Sequence, residues 1–161
     1  MSFQPTPEQQ QIRDSVSRLC QRFDDQYWLE RDTDGVFPED FCRALADEGW
    51  MGIAMPEEYG GSGLGITEAA IMAQAITESG AGNAGFAAVA IGIFGLNPVV
   101  LFGTDEQKRQ WLPRIIERQD VACFAVTEPN TGLDTTRLKA RAVDQGDHYL
   151  VNGEKIWTST A

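Results

Sequence analysis

Histidine is almost missing from this sequence: His148 is the only one among 161 residues. A cluster of imidazole metal ligands is therefore excluded. The three cysteines, Cys20, Cys42 and Cys123, stand at spacings that suit no Cys–His zinc site, so no metal ligand is assigned. An odd, scattered set of thiols is no disulfide framework either, and MSFQPTPEQQQ at the start holds no basic-then-apolar leader. The expectation is a reduced, cytoplasmic setting, with His148 exposed at a strand end.

Basic residues are scarce: 13 Lys and Arg stand against 24 Asp and Glu, a formal net charge of −11. Residues 1–120 carry 9 basic and 19 acidic side chains, and residues 121–161 carry 4 and 5, so the acidity belongs to the first part. Lys108, Arg109, Arg114 and Arg118 are interleaved with Glu106 and Glu117. Such a surface repels a phosphate backbone, which argues against nucleic-acid binding. The glycine-rich stretch MGIAMPEEYGGSGLG, Met51 to Gly65, lacks the lysine of a P-loop and the G-x-G-x-x-G spacing. It reads as a helix-to-helix connection that turns on glycine.

Charge is absent altogether from Ala81 to Gly103, 23 positions. That is enough to span a hydrocarbon layer of roughly 30 Å. Asn83, Asn97-Pro98, five glycines and the acidic flanks Glu78 and Asp105 oppose a membrane span. The expectation is a helix buried on all sides within an α domain.

What is present sets the order of elements. Thr6-Pro7-Glu8-Gln9 is a capping box with proline at the first helical position, and Ile12, Val16, Leu19, Phe23 and Tyr27 continue at helical spacing. Pro38 opens a second helix through Phe41 and Leu45, and Ala69, Met72, Ala73 and Ile76 share one face of a third. Thr104-Asp105-Glu106-Gln107 is a second capping box, and Pro113 either kinks its helix or starts another. Near Asp120 the period changes. Val121–Thr127 reads as a strand, Leu138–Val143 alternates, and Asn152-Gly153 predicts a hairpin joining Tyr149–Val151 to Lys155–Trp157. The fold class expected is α+β: an all-α helical domain over residues 1–120, then the first strands of an incomplete β-barrel-like domain over 121–161. About forty residues of β structure leave an open edge, so an unfinished β domain and a homo-oligomer are both expected.

The run AVTEPNTGLDTT, Ala125 to Thr136, offers the hydroxyls of Thr127, Thr131, Thr135 and Thr136, close backbone approach at Gly132, and turn amides able to form an anion nest. Either a phosphate-bearing cofactor or an ordinary polar loop is compatible with that composition.

Glu57-Glu58-Tyr59-Gly60-Gly61, then Gly103 to Lys108 with Leu112-Pro113, then Ala125-Val126-Thr127-Glu128-Pro129 with Gly132 and Asp134, then Asn152-Gly153-Glu154-Lys155-Ile156-Trp157 resemble the acyl-CoA dehydrogenase family in order and spacing. The resemblance runs over essentially the whole chain. It implies the family's N-terminal α domain and the opening of its middle β domain, with the C-terminal helical bundle expected to be absent.

The resemblance also implies FAD as cofactor, an acyl-CoA thioester as substrate and an electron-transfer flavoprotein as acceptor. Phe124, Val126 and Thr127 would line the flavin. Gly132 and Leu133 would approach the pyrophosphate and the substrate's pantetheine arm, and Trp157 with Thr158 or Ser159 would flank the ring. The family places a serine or threonine where this chain has Leu133, so a hydroxyl there would have to come from a neighbour such as Thr131 or Thr135. Glu128 and Asp134 are expected to order the loop. Phe86, Ala90 and Phe94, at i, i+4 and i+8, would line the acyl pocket and favour a short or branched chain. The family's catalytic base is a glutamate in the bundle, so no catalytic residue is assigned and the chain alone is expected to be inactive. The other readings are a non-catalytic helical module that binds acyl-CoA or a partner protein, and a related acyl-CoA oxidase or flavin monooxygenase.

Overall fold

A computed structural model describes residues 4–160, and the chain divides into two compact units, Met1–Val121 and Ala122–Ala161. The first is helical. It holds α1 (Pro7–Cys20), α2 (Asp25–Asp34), α3 (Glu39–Asp47), α4 (Ile66–Ile76), α5 (Gly82–Phe94), α6 (Asn97–Phe102) and α7 (Asp105–Ile116). The second holds two short strands, β1 (Arg141–Asp144) and β2 (Tyr149–Asn152). An α+β chain with a helical first domain and the start of a β domain is thus what the sequence folds into.

Both capping boxes form. The Thr6 hydroxyl accepts from the Gln9 amide at 3.2 Å while the Gln9 side chain accepts from the Thr6 amide at 3.0 Å. Thr104 and Gln107 repeat this at 3.2 and 2.9 Å. Each box satisfies two amides that the first turn leaves without helical partners. The first helix, however, does not run to Tyr27. It ends at Cys20, and Asp24 caps a separate α2 by accepting from the Tyr27 amide at 2.9 Å. A cap outranked a continuing apolar period.

The core gathers where α1 packs along α4, with α3 against α1 and α5 against both α3 and α4. Val16, Leu19, Phe41, Leu45, Met51, Ile53, Met72, Ile76 and Val89 are buried there. Phe23, Tyr27, Trp28 and Phe41 stack edge to face with ring centroids 5.0–5.3 Å apart, a geometry that suits the ring quadrupoles. On α4 the expected Ala69, Met72 and Ile76 are buried, but Ala75 joins them in place of the half-buried Ala73.

The uncharged stretch corrects an expectation. From Ile66 to Phe102 the helical run is long and apolar enough to cross a membrane by length and composition. Yet it bends at Gly80, φ +91°, and Gly82, φ +56°. It breaks again at Gly95-Leu96, because Pro98, with no N–H and a fixed φ, opens a new helix rather than continuing α5. Burial on all sides fails as well. α5 buries only Gly85, Val89 and Ile93, one stripe at i, i+4 and i+8, and α6 buries nothing. Pro113, in contrast, is taken into α7 without ending it.

The Met51–Gly65 connection is tightly built. Ser62, Gly63 and Leu64 donate their amides to Gly52, Met55 and Ile53 at 2.9, 2.8 and 3.0 Å. Among the described residues no group of three or more His, Cys, Asp or Glu side chains could hold a metal ion.

In the second unit the predicted hairpin is misplaced. β1 pairs antiparallel with β2, Arg141 opposite Asn152 and Asp144 opposite Tyr149. The turn is therefore Gln145–His148, not Asn152-Gly153. Gly146 supplies φ +97° and its amide donates to the Asp144 carboxylate at 2.8 Å, while the Gln145 amide donates to the His148 carbonyl at 2.9 Å. Gly153 serves another purpose: a Cβ there would lie 2.4 Å from the Cβ of Ala140, so the glycine permits close approach of two segments. His148 is exposed beside Asp147, 2.6 Å from its carboxylate.

Candidate functional site

Val121–Thr127 does not form the expected regular strand. It pairs instead at isolated points with the segment after Gly153. Phe124 bridges Ser159 antiparallel, and the Ile156 amide donates to the Thr127 carbonyl at 3.0 Å. Both pairs fall in one antiparallel register. The Thr160 hydroxyl adds a bond to the Ala122 carbonyl at 2.7 Å. Two motifs about thirty residues apart are thereby brought side by side, and with them six of the expected cofactor residues: Phe124, Val126, Thr127, Trp157, Thr158 and Ser159.

Glu128 holds this pairing together. Its carboxylate is buried and accepts the Lys139 amide at 2.7 Å, the Ala140 amide at 2.8 Å and the Lys155 ammonium at 3.0 Å. Those donors, the Lys139 amide first, pull its pKa from the ordinary 4.5 down to about 2. Lys155 also donates to the Val126 carbonyl at 2.9 Å. Glu128 and Thr131 exchange backbone bonds of 2.9 and 3.0 Å around Pro129-Asn130, closing the tight turn that starts the loop. The expected ordering role of Asp134 is met by its carboxylate, which accepts from the Thr136 amide at 3.2 Å and the Thr136 hydroxyl at 2.5 Å. Lys155 was not singled out from the sequence. Its one signal is that it is the only lysine after Lys139, two residues before the motif's last residue, Trp157.

Thr131 needs a correction as a replacement hydroxyl. It is buried and donates to the Arg137 carbonyl at 3.2 Å, so its proton is committed to the loop itself. The exposed Thr135 is left as the nearby hydroxyl.

The apolar side chains around this pairing point outward. Leu133 is 105% exposed, Trp157 85% and Phe124 56%, and Tyr149, Leu150 and Val151 of the same unit are exposed with them. Trp157 also holds a left-handed backbone, φ +58°, and a non-glycine residue takes that region at a cost. A Cβ added at Gly132 would meet no atom within 4 Å, so open space lies over that backbone. Exposed ring and alkyl surfaces, open backbone at a glycine and a rigid turn fit a flat aromatic cofactor with an anionic arm.

In the helical unit Phe86, Ala90 and Phe94 do share a face of α5, all half-buried, and the Phe86 and Phe94 rings meet edge to face at 6.3 Å. A cavity of about 380 Å³ borders Phe94 together with Ala54, Met55, Leu64, Ile66, Ile93, Asn97 and Val100. Phe86 and Ala90 lie outside its wall.

The family described as "Acyl-CoA dehydrogenase, N-terminal domain" matches residues 6–119. The probable acyl-CoA dehydrogenase YngJ of Bacillus subtilis (strain 168) is 35% identical over 161 residues, 100% of this chain and 42% of the relative. The mitochondrial isovaleryl-CoA dehydrogenase of Bos taurus is 34% identical over 152 residues, 93% of this chain and 35% of the relative. A solved structure of PigA with FAD and proline superposes with a TM-score of 0.89 at 26% identity, over 98% of this chain and 42% of that one. The chain thus spans about two fifths of the length of the proteins it matches.

Proposed function

The chain belongs to the acyl-CoA dehydrogenase family, and on that premise we propose that it carries the helical domain and first flavin-facing strands of an FAD-dependent enzyme converting an acyl-CoA to its 2-enoyl-CoA. The observation that carries the reading is the pairing of Phe124–Glu128 with Lys155–Ser159, which sets the exposed Phe124 and Trp157 on neighbouring segments from the two motifs. Isovaleryl-CoA as substrate of one relative and FAD in the PigA structure support the acyl-CoA and the cofactor.

When bound, FAD would accept the β hydrogen of the acyl group as hydride. The residues of this chain bind and orient. Phe124, Val126 and Trp157 would offer apolar surface to the ring, Thr127 and Thr158 or Ser159 hydroxyls to its polar edge, and the open backbone at Gly132 and Leu133 room for the pyrophosphate. None of Glu57, Glu58 and Glu128 is given the role of base. Glu128 in particular is held near pKa 2 by three donors, far too acidic to take an α proton near neutral pH.

An electron-transfer flavoprotein as acceptor, a homo-oligomer and a cytoplasmic setting belong to the same proposal. Cys20, Cys42 and Cys123 are all free thiols, in keeping with a reducing compartment. In the same reading the apolar run from Ile66 to Phe102 is domain structure rather than a membrane span, which its two breaks and the burial of Met72, Ile76, Val89 and Ile93 support.

The test is titration of the purified chain with FAD, followed by quenching of flavin fluorescence. Thr127→Val removes a hydroxyl at nearly constant shape and should weaken FAD binding by roughly 3- to 10-fold, the value of one hydrogen bond. Trp157→Ala should weaken it further. Equal affinity in all three proteins would remove these residues from the site, and acyl-CoA binding without FAD uptake would favour the non-catalytic module.

A further inference from the structure

We propose that Glu128 and Lys155 act as a positioning pair for the flavin-facing backbone, setting the spacing between Val126-Thr127 and Ile156-Trp157. The inference rests on the cofactor reading above for its functional half and on geometry alone for the rest.

Two segments, Lys139-Ala140 and Lys155, converge on the one carboxylate of a third. Oε2 of Glu128 takes the Lys139 amide, and Oε1 takes both the Ala140 amide and the Lys155 ammonium. The Lys155 ammonium then reaches past the carboxylate to the Val126 carbonyl. The next residue along each segment completes the link, since the Ile156 amide donates to the Thr127 carbonyl. Thr127, the residue assigned to the flavin edge, is therefore flanked on one side by a carbonyl that Lys155 holds and on the other by the carboxylate that holds Lys155. Regular ladder bonds are sparse between these segments, with Phe124–Ser159 an isolated bridge. Side-chain bonds take over the task that backbone pairing performs elsewhere. Glu128 is 6% exposed and the Lys155 side chain 27%, so solvent screens the pair little. Packing at Gly153 against Ala140 closes the third side.

The substitutions separate charge from shape. Lys155→Met keeps the stem and removes both bonds of the ammonium. Lys155→Arg keeps a donor able to reach a carboxylate and a carbonyl. Glu128→Gln presents an amide NH2 to a set of donors, so at least one of the three loses its acceptor.

The first readout is hydrogen exchange at the Ile156 amide without FAD, a bond in which neither side chain takes part. Lys155→Met and Glu128→Gln should speed that exchange about tenfold or more, the size expected for losing a charge-assisted hydrogen bond, and Lys155→Arg should largely restore protection. Amides of β1 and β2 report whether the unit is folded, and Met72 and Val89 report on the helical unit. The second readout is FAD affinity with the visible circular dichroism of the bound flavin, which should weaken and change in Lys155→Met and return in Lys155→Arg.

Unchanged Ile156 protection in both disruptive variants overturns the positioning role whatever FAD does. Loss of all second-unit protection in both, with no rescue by arginine, overturns it in favour of plain stabilisation. Faster Ile156 exchange with unaltered flavin affinity and dichroism overturns the functional half. Failure of the wild-type chain to bind FAD sinks the cofactor reading and that half with it, and is distinguished from failure of the pairing because Ile156 exchange is read without flavin.

Discussion

Arg118 and Glu39 meet fork to fork: Nε donates to one carboxylate oxygen at 3.2 Å and Nη2 to the other at 2.8 Å. Arg118 follows α7 and is 8% exposed; Glu39 is the first residue of α3, 79 positions earlier. The guanidinium holds the Glu39 carboxyl below its usual pKa and lies 5.5 Å from the Phe37 ring centre. Arg118 itself carries φ +55°, strain that the pair must offset. Arg118→Met should destabilise the helical unit by about 1–3 kcal/mol, since Glu39 is half exposed and recovers water. Urea unfolding monitored by helical circular dichroism checks it, and an unchanged midpoint would reduce the pair to surface decoration.

Gly61 lies under the Met55 backbone, where an added Cβ would sit 2.1 Å from the carbonyl oxygen and 2.4 Å from its carbon. Backbone cannot yield as a side chain tip can. Gly61→Ala should cost about 1–3 kcal/mol, the scale of overpacking. Gly132→Ala, with open space above it, should leave stability within about 0.5 kcal/mol, as surface changes do, yet weaken FAD binding. Thermal melts of the two variants beside an FAD titration would show the contrast, and a destabilised Gly132→Ala of normal FAD affinity would reverse both assignments.

Local signals are legible in the sequence and long-range ones are not. Thr6 and Thr104 cap as expected because a capping box is complete within four residues. The break between Cys20 and Asp24 is hidden because Phe23, within it, and Tyr27, beyond it, continue the apolar period of Val16 and Leu19. At Asn152-Gly153 the turn signal was sound chemistry in the wrong place: Asp144, Gln145 and Gly146 make the turn, and Gly153 is small because Ala140 approaches it. Two glycines in one region have two different reasons, and only pairing partners tell them apart. Much the same holds for the site. Family resemblance located the segments around Thr127 and Trp157, but their mutual register, and the part of Lys155 in it, depend on contacts about thirty residues apart that no periodicity records.

Acid should loosen the second unit before neutral chemistry touches it. Glu128 has a folded-state pKa near 2 against an ordinary 4.5, so its stabilisation is fully present above about pH 4.5 and is lost as pH falls toward 2. Protonation removes charge from an acceptor of two amides and an ammonium. Amide protection of Val143 and Leu150, a hydrogen-bonded pair of the ladder, should therefore fall across that window. Glu128→Gln should show low protection at every pH and no further fall there; a wild-type fall that persists unchanged in Glu128→Gln would assign the transition to another carboxyl.

Phe94 is the one expected acyl-pocket residue that borders the cavity of about 380 Å³, and its ring rests edge to face on Phe86 at 6.3 Å. Apart from Asn97 the lining side chains are apolar, with backbone polar atoms exposed between them, and Met55 and Ile93 are buried. If the cavity receives the acyl tail, Phe94→Ala extends it toward Phe86 and lets longer chains in. Each methylene newly accommodated should favour binding by roughly 1–3 kcal/mol. Phe86→Ala, outside the wall, should change chain-length preference much less while costing comparable stability. Competition between butyryl-CoA and octanoyl-CoA, measured on folded wild type and both variants, reads this directly. An unchanged ranking in Phe94→Ala would return Phe94 to the core, and an equal shift in both variants would place the tail on the α5 face itself rather than in the cavity.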